Sequence, residues 1–342
     1  MSWEVRAMAR ETEVKFMVES GNPGDVIDWA EHAGLLRGRA AQLRLDNYYY
    51  DTSDFRLREA GIALRVRCSD DRWEATVKTR AGSFDGKAGG VHVHPEYTVS
   101  LPGQPERPDI SLFPEEIFRG LPCAEVQEEL IRIMSQRCVR TLFNISGTTP
   151  LHEDFVIEVS FDEVVYQGKN GDIPGRELEL ELKEGGPGAL LYVSAILLEA
   201  EKAREMPLKL RTGAVSKMER AAIYAGLAAP GSPVPEDLSS DRGICQALSG
   251  LERRCFLESD SVRAAQAFKD LEKFFRALSE NPAKSPLLNN LRILGSAYYD
   301  GRLPDLQLAE RQTALKLLLT APDLVLARLR LDLENGNLNS IR

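Results

Sequence analysis

Glu11-Thr12-Glu13-Val14-Lys15 places two carboxylates and an ammonium at every second position. In a strand, alternate side chains share a face, so these three point one way while Val14, Phe16 and Val18 point the other. Successive carboxylates on such a face stand about 7 Å apart, a span that a divalent cation or its water shell bridges. The pattern recurs along the chain. Arg65 and Arg67 alternate with Leu64 and Val66, and Glu74, Thr76, Lys78 and Arg80 alternate with Trp73, Ala75 and Val77. His92, His94, Glu96 and Thr98 share a face, as do Glu158, Ser160 and Asp162. The densest case is Glu177, Glu179, Glu181 and Lys183 against Leu178, Leu180 and Leu182.

The elements that would position these residues follow from the same periodicity. Strands are expected over residues 11–18, 43–50, 62–68, 72–80, 91–99, 137–145, 155–166 and 176–183. Helices are expected over 25–36, 124–134, 189–203 and 216–227, with a proline-marked connector over 107–121 and a glycine-rich loop over 82–90. Eight strands close into a barrel with room for a small ligand. The alternation allows two arrangements. In one the apolar faces form the core and the charges are solvated, which is the commoner case. In the other the apolar faces look outward under a cover of helices, and the charged faces converge on a lumen. Segregation of sign favours the second: Arg65, Arg67, Lys78 and Arg80 are basic, whereas Glu177, Glu179 and Glu181 are acidic. A face serving only solubility mixes its signs.

The bulk numbers exclude several classes. A net charge of −9 argues against a dedicated nucleic-acid binder. Acidic and basic residues balance beyond Leu227, so the first part of the chain carries the whole deficit. Five scattered cysteines fit reduced thiols and a cytoplasmic location. No apolar signal core opens the chain, and the longest apolar run, near 190–198, is too short to span a bilayer. The 342 residues are enough for two domains, expected at 1–226 and 227–342.

Glu11-x-Glu13-x-Lys15, Tyr50-Asp51-Thr52, Leu64-Arg65-Val66-Arg67, the run from Glu177 to Lys183, and Ser216-Lys217 occur in the order of the CYTH family, also called triphosphate tunnel metalloenzymes. The chain resembles that family over roughly residues 8 to 225. The resemblance implies an α+β fold: an eight-stranded antiparallel tunnel, a closed barrel with a polar lumen, covered by helices. It also implies Mg²⁺ or Mn²⁺ as cofactor and a small-molecule triphosphate as substrate. Relatives hydrolyse inorganic triphosphate, thiamine triphosphate or RNA 5′-triphosphate ends, or cyclise ATP. The expected activity is metal-dependent triphosphate hydrolysis. The alternatives are a class IV-type adenylyl cyclase, a thiamine triphosphatase, or a module that binds polyphosphate or nucleotide without turnover.

On the family's pattern, Glu11, Glu13, Glu179 and Glu181 are expected to hold metal, with Glu158 and Asp162 as further candidates. Lys15, Arg65, Arg67, Lys78, Arg80, His94, Arg140, Lys183 and Lys217 are expected to bind substrate. Lys15, Arg65, Arg67, Lys78 and Glu96 form the expected catalytic set. Arginine suits this role because its planar fork binds phosphate oxygens bidentately, and a cleft focuses its field enough to outweigh the net charge. Plainer readings stand beside these. Lys15 could pair with a neighbouring glutamate on a wet face, Glu74 and Glu177 could orient cations, and Ser216-Lys217 could be an ordinary helix start. Two positions depart from the family pattern: His92 or His94 where relatives often carry arginine, and Cys138 where they often carry a basic residue.

Pro230-Gly231-Ser232-Pro233-Val234-Pro235 reads as a linker. Helical patterns follow over 241–259, 261–279, 287–299, 306–320 and 324–334, which predicts a small all-α bundle. CYTH tunnels are often followed by a basic, histidine-bearing CHAD domain associated with polyphosphate. This segment is neutral and lacks histidine, so it is expected to be a degenerate CHAD or an unrelated bundle.

Overall fold

The computed structural model describes residues 5–79, 91–213, 215–230, 241–258, 261–280 and 319–332. Arg80, the loop at 82–90, the expected helix at 287–299 and nearly all of that at 306–320 lie outside the described residues.

Nine strands form one antiparallel sheet: β1 (Val5–Ser20), β2 (Leu36–Asp51), β3 (Ile62–Ser69), β4 (Arg72–Thr79), β5 (Val91–Leu101), β6 (Ile131–Thr148), β7 (Asp154–Gly168), β8 (Gly171–Glu184) and β9 (Lys209–Thr212). Their order is β5-β4-β3-β2-β6-β7-β8-β1-β9, and β1 also pairs with β5, from Val5 opposite Val99 to Val14 opposite Val91. The expected count of eight is thereby corrected to nine. The extra strand, β9, has four residues, too few for alternation to register in the sequence.

The apolar faces are covered. Val14, Phe16, Val18, Ile157, Val159, Phe161, Leu178 and Leu180 pack beneath α1 (Pro23–His32), α4 (Gly188–Lys202) and Val325 and Leu329 of the last described helix, α8 (Pro322–Asp332). Full burial of such a side chain contributes about 2 kcal/mol relative to exposure. A second cluster packs Leu64, Val66, Ala75, Val77 and Val99 beneath Leu57 of α2 (Arg56–Glu59), the segment carrying Ile110, Phe113 and Phe118, and Val126 of α3 (Cys123–Glu129). The proline-marked connector is therefore a cover for the sheet. Asn22 starts α1: its side chain accepts from Gly24 N–H at 2.9 Å while Asp25 accepts from Asn22 N–H at 2.8 Å.

One boundary differs in kind. A helix is expected over 124–134, but α3 stops at Glu129 and β6 opens at Ile131. Ile131 and Arg132 pair with Asp51 and Tyr50 of β2. An apolar run suits either period, and here the β2 ladder outweighs local preference.

Three further helices complete the described chain: α5 (Lys217–Tyr224), α6 (Asp241–Leu257) and α7 (Ser261–Glu280). Helices α6, α7 and α8 share a core that includes Leu248, Leu271, Phe275 and Leu324. No helix among the described residues is long and apolar enough to cross a membrane. Cys68, Cys123 and Cys138 are free thiols.

Candidate functional site

Strand register carries the charged faces into one belt. Glu13 and Lys15 of β1 stand opposite Glu181 and Glu179 of β8. Glu179 and Glu177 stand opposite Ser160 and Asp162 of β7, and Asp162 stands opposite Arg140 of β6. On the other side, Asn47 of β2 stands opposite Arg67, Arg65 opposite Thr76, and Lys78 opposite Glu96. Glu13 and Lys15 are each 5% exposed and Glu177 is fully buried, although Leu178 and Leu180 on the opposite face of β8 are fully buried as well. Both faces of the sheet are therefore covered here, and these charges are not solvated.

Part of the belt is densely paired. The Lys15 ammonium lies 3.1 Å from both Glu13 and Glu179. Arg140 donates two parallel hydrogen bonds of 2.7 Å to Asp162 and a third, of 2.8 Å, to Glu179. Lys217 reaches Asp162 at 2.9 Å, Glu177 at 3.2 Å and Glu179 at 2.5 Å. Burial works against every charge in this knot, but for all except Glu13 the partners win. Arg140 and Lys217 hold the Asp162 carboxyl at about 2 and Lys217 with Lys15 keeps Glu179 well below the usual range. Asp162, Glu177 and Glu179 in turn raise Lys217. Gly213 permits the close approach at this point: a Cβ there would lie 2.6 Å from Cγ of Lys15, and its N–H donates to the Lys15 carbonyl at 2.8 Å.

Two regions are less well matched. Arg67 donates to Asn47 at 2.8 Å and stands 3.8 Å from Glu74, while Arg65 stands 4.0 Å from Glu96 and its Nε has no hydrogen-bond partner. Burial, then Arg65 and Arg140, pull Arg67 down to about 10. Glu13 is the mirror case. Burial pushes its carboxyl up to about 7, Glu179 and Glu11 add to the rise, and Lys15 offsets only part of it. Glu181, directly opposite, is also raised, first by burial and then by Glu11. Cations crowd one wall and carboxylates another.

Toward solvent, Lys78 pairs with Glu11 at 2.6 Å and Glu96 at 2.7 Å, and Lys183 pairs with Glu181 at 2.6 Å and Glu158 at 3.5 Å. Burial opposes the Glu11 charge, yet Lys78 holds it at about 2. Among the expected residues, Arg80 lies outside the described residues, as does the side chain of His94, whose backbone pairs with Glu11. All the others belong to the belt.

Among the described residues no three carboxylates, imidazoles or thiols are gathered as a ready metal-binding group, because the belt's carboxylates are turned toward lysines and arginines. The donor chemistry nevertheless suits a hard divalent cation. Glu13 and Glu181 are facing carboxylates with too little positive charge beside them, and oxygen is the ligand that Mg²⁺ and Mn²⁺ prefer.

Sequence reasoning misses several contributors. Asn47 orients Arg67, Tyr166 donates to Glu177 at 2.6 Å, and Arg220 lies 3.4 Å from Glu177. Their period offers a partial signal, since Asn47 has the same parity on β2 as Leu45 and Tyr49. Cys138 packs with Leu45, Tyr49, Met134, Val164, Tyr166 and with Ala221 and Ala222 of α5. It is a packing residue against a helix seated on the belt, and burial pushes its thiol well above the usual range.

Residues 9–221 match the CYTH domain. The chain belongs to the CYTH family. A relative, the inorganic triphosphatase of Haemophilus influenzae, is 31% identical over 144 residues, which is 42% of this chain and 37% of that one. The CYTH chain thus matches well under half of that relative's length. Two solved structures are similar in part. A Hippeastrum protein described as having a dominant triphosphatase activity is 18% identical, with a TM-score of 0.44 over 64% of this chain and 98% of its own. An adenylate cyclase-like protein of Bacillus halodurans is 17% identical, with a TM-score of 0.37 over 63% and 98%.

Proposed function

We propose that this CYTH protein hydrolyses inorganic triphosphate to diphosphate and phosphate, with Mg²⁺ or Mn²⁺ as cofactor, inside a tunnel formed by the charged faces of the sheet. One observation carries the reading: a half-buried wall short of negative charge, at Arg65 and Arg67, shares a belt with a wall short of positive charge, at buried Glu13 and half-buried Glu181. A polyanion carrying a divalent cation satisfies both. The pairing of β1 with β5 supports closure of the sheet into a tunnel, with β9 as an outer strand. The 31% identical relative supports a triphosphate as the substrate class. In this reading a tunnel unit over 1–226 is followed by a helical unit over 227–342.

In this reading Arg65 and Arg67 receive phosphate oxygens through their planar forks, while Arg140, whose fork is held by Asp162, adds fixed positive charge beside them. Lys15 and Lys217 keep their protons despite burial, because carboxylates hold them, so both add fixed positive charge where the substrate's negative charge concentrates. Lys78 and Lys183 do the same nearer solvent, with Glu96 orienting Lys78. Glu11, Glu13, Glu179 and Glu181 would hold the metal, with Glu158 beside them. Asp162, whose oxygens are taken by Arg140 and Lys217, is read as a positioning residue for those cations. When bound, the ion polarises phosphate oxygens and lowers the pKa of water. No side-chain nucleophile is needed, since phosphoryl transfer rests on positioning and electrostatics.

The test is a panel of inorganic triphosphate, thiamine triphosphate and ATP against Mg²⁺, Mn²⁺ and no metal, scored for phosphate release and cyclic AMP. Phosphate release from inorganic triphosphate should dominate and should need metal. Cyclic AMP as the main product would make the protein a cyclase. Tight binding of triphosphate without turnover would make it a binding module.

A further inference from the structure

Helix α5 has two working faces. Lys217 and Ala221, four residues apart, share one, and Glu219 and Ile223, also four apart, share the opposite one. The first face meets the belt: Lys217 touches Asp162, Glu177 and Glu179, and Ala221 packs with Cys138 and Tyr166. The second face meets α6. Glu219 pairs with Arg253 at 2.9 Å, with side chains 30% and 14% exposed, and Ile223 packs with Val215 and Leu257. The strand that leads into α5 is held by the same helix. Glu252 of α6 receives Arg211 of β9 at 3.3 Å and Arg328 of α8 at 2.8 Å, and Thr212 donates to it at 3.4 Å. Arg328 is fully buried and also donates to Ser249 at 3.0 Å.

We propose that α6 braces α5, and that Glu252 and Arg253 are positioning residues that set where Lys217 stands in the belt. The inference rests on the triphosphate reading of that belt. The C-terminal helices then act on the substrate site without touching substrate. Lys217 has a long, flexible stem, and three carboxylates compete for its ammonium, so its position depends on where the helix backbone is held. Tilting α5 moves the ammonium among Asp162, Glu177 and Glu179.

The experiment is a double-mutant cycle on the full-length protein, with binding of inorganic triphosphate in Mg²⁺ measured by calorimetry alongside kcat and KM. Arg253→Ala and Glu219→Gln should each weaken binding about fivefold, the effect of a partly buried ion pair. Arg253→Lys should recover most of the loss. In a Lys217→Met background, Arg253→Ala should change nothing further. Arg254, the next residue on α6, pairs instead with Asp270 at 2.9 Å within the bundle, and Arg254→Ala should leave binding unchanged. Full additivity of Arg253→Ala with Lys217→Met, or equal weakening by Arg254→Ala, overturns the brace while the site stands. Unchanged binding in Lys217→Met overturns the reading of the site itself, and the brace falls with it.

Discussion

The deep knot around Glu179 and the Arg65–Arg67 wall are built from the same residue types, yet they are wired differently. In the knot every charge has an opposite partner within 3.2 Å: Lys15, Arg140 and Lys217 against Asp162, Glu177 and Glu179. At the wall, Arg67 leans on a neutral Asn47 and Arg65 leaves its Nε unpaired. The knot is the more deeply buried of the two, yet it is the half-buried wall whose charges lack partners, so what separates them is compensation. A compensated cluster is scaffold that fixes where cations stand. An undercompensated one is prepared for a ligand that brings the missing charge.

Removing one member of each cluster should separate these roles. The largest effect is expected in the knot. Asp162→Ala leaves Arg140 and Lys217 buried with less negative charge, and should cost about 3–5 kcal/mol of stability in urea unfolding. A loss below about 1 kcal/mol would erase the distinction. At the wall, Arg67→Ala should cost little stability and instead weaken triphosphate binding at least tenfold, as the loss of one charge-assisted contact does. A variant that unfolds readily but binds normally would invert the comparison. Glu181→Gln should leave triphosphate binding nearly intact while lowering turnover and shifting its Mg²⁺ dependence to higher concentration. An unchanged metal titration would remove Glu181 from the acidic wall.

The smallest effect is expected from a carboxylate outside the belt. Glu201 of α4 is buried with Lys209 at 3.2 Å as its ion-pair partner, and burial pushes its carboxyl up to about 6. A raised carboxyl favours the folded state while protonated, and that contribution fades as pH rises from about 4.5 through about 6. Glu201→Gln should therefore raise stability at pH 7.5 by on the order of 1 kcal/mol and have no effect at pH 4. Thermal melts at the two pH values check this. Equal shifts at both would mean that the effect is packing, not charge.

Much of this is legible in the chain. Alternation in Glu177–Lys183 and in Leu64–Arg67 marks strands with one ionic face, and the segregation of sign points to an inward face. The helix expected from Asp25 is present as α1, although it opens two residues earlier, at Pro23. Other features are not legible. Ile131 to Met134 read as helix because an apolar run suits either period, and β9 is too short for a pattern. Asn47, Tyr166 and Arg220 look like ordinary strand and helix residues until register brings them to Arg67 and Glu177.

The amino-acid order by itself determined which side chains share a face, because strand and helix periods are local and follow from backbone geometry. Only the tertiary structure decided which cation meets which carboxylate. Lys15 finds Glu179, and Arg140 finds Asp162, through ladders joining segments far apart in the chain. Lys217 arrives on a helix whose other face is held by Arg253. Those distances set the balance between burial and pairing, and that balance separates a settled ion pair from a site prepared to take a ligand.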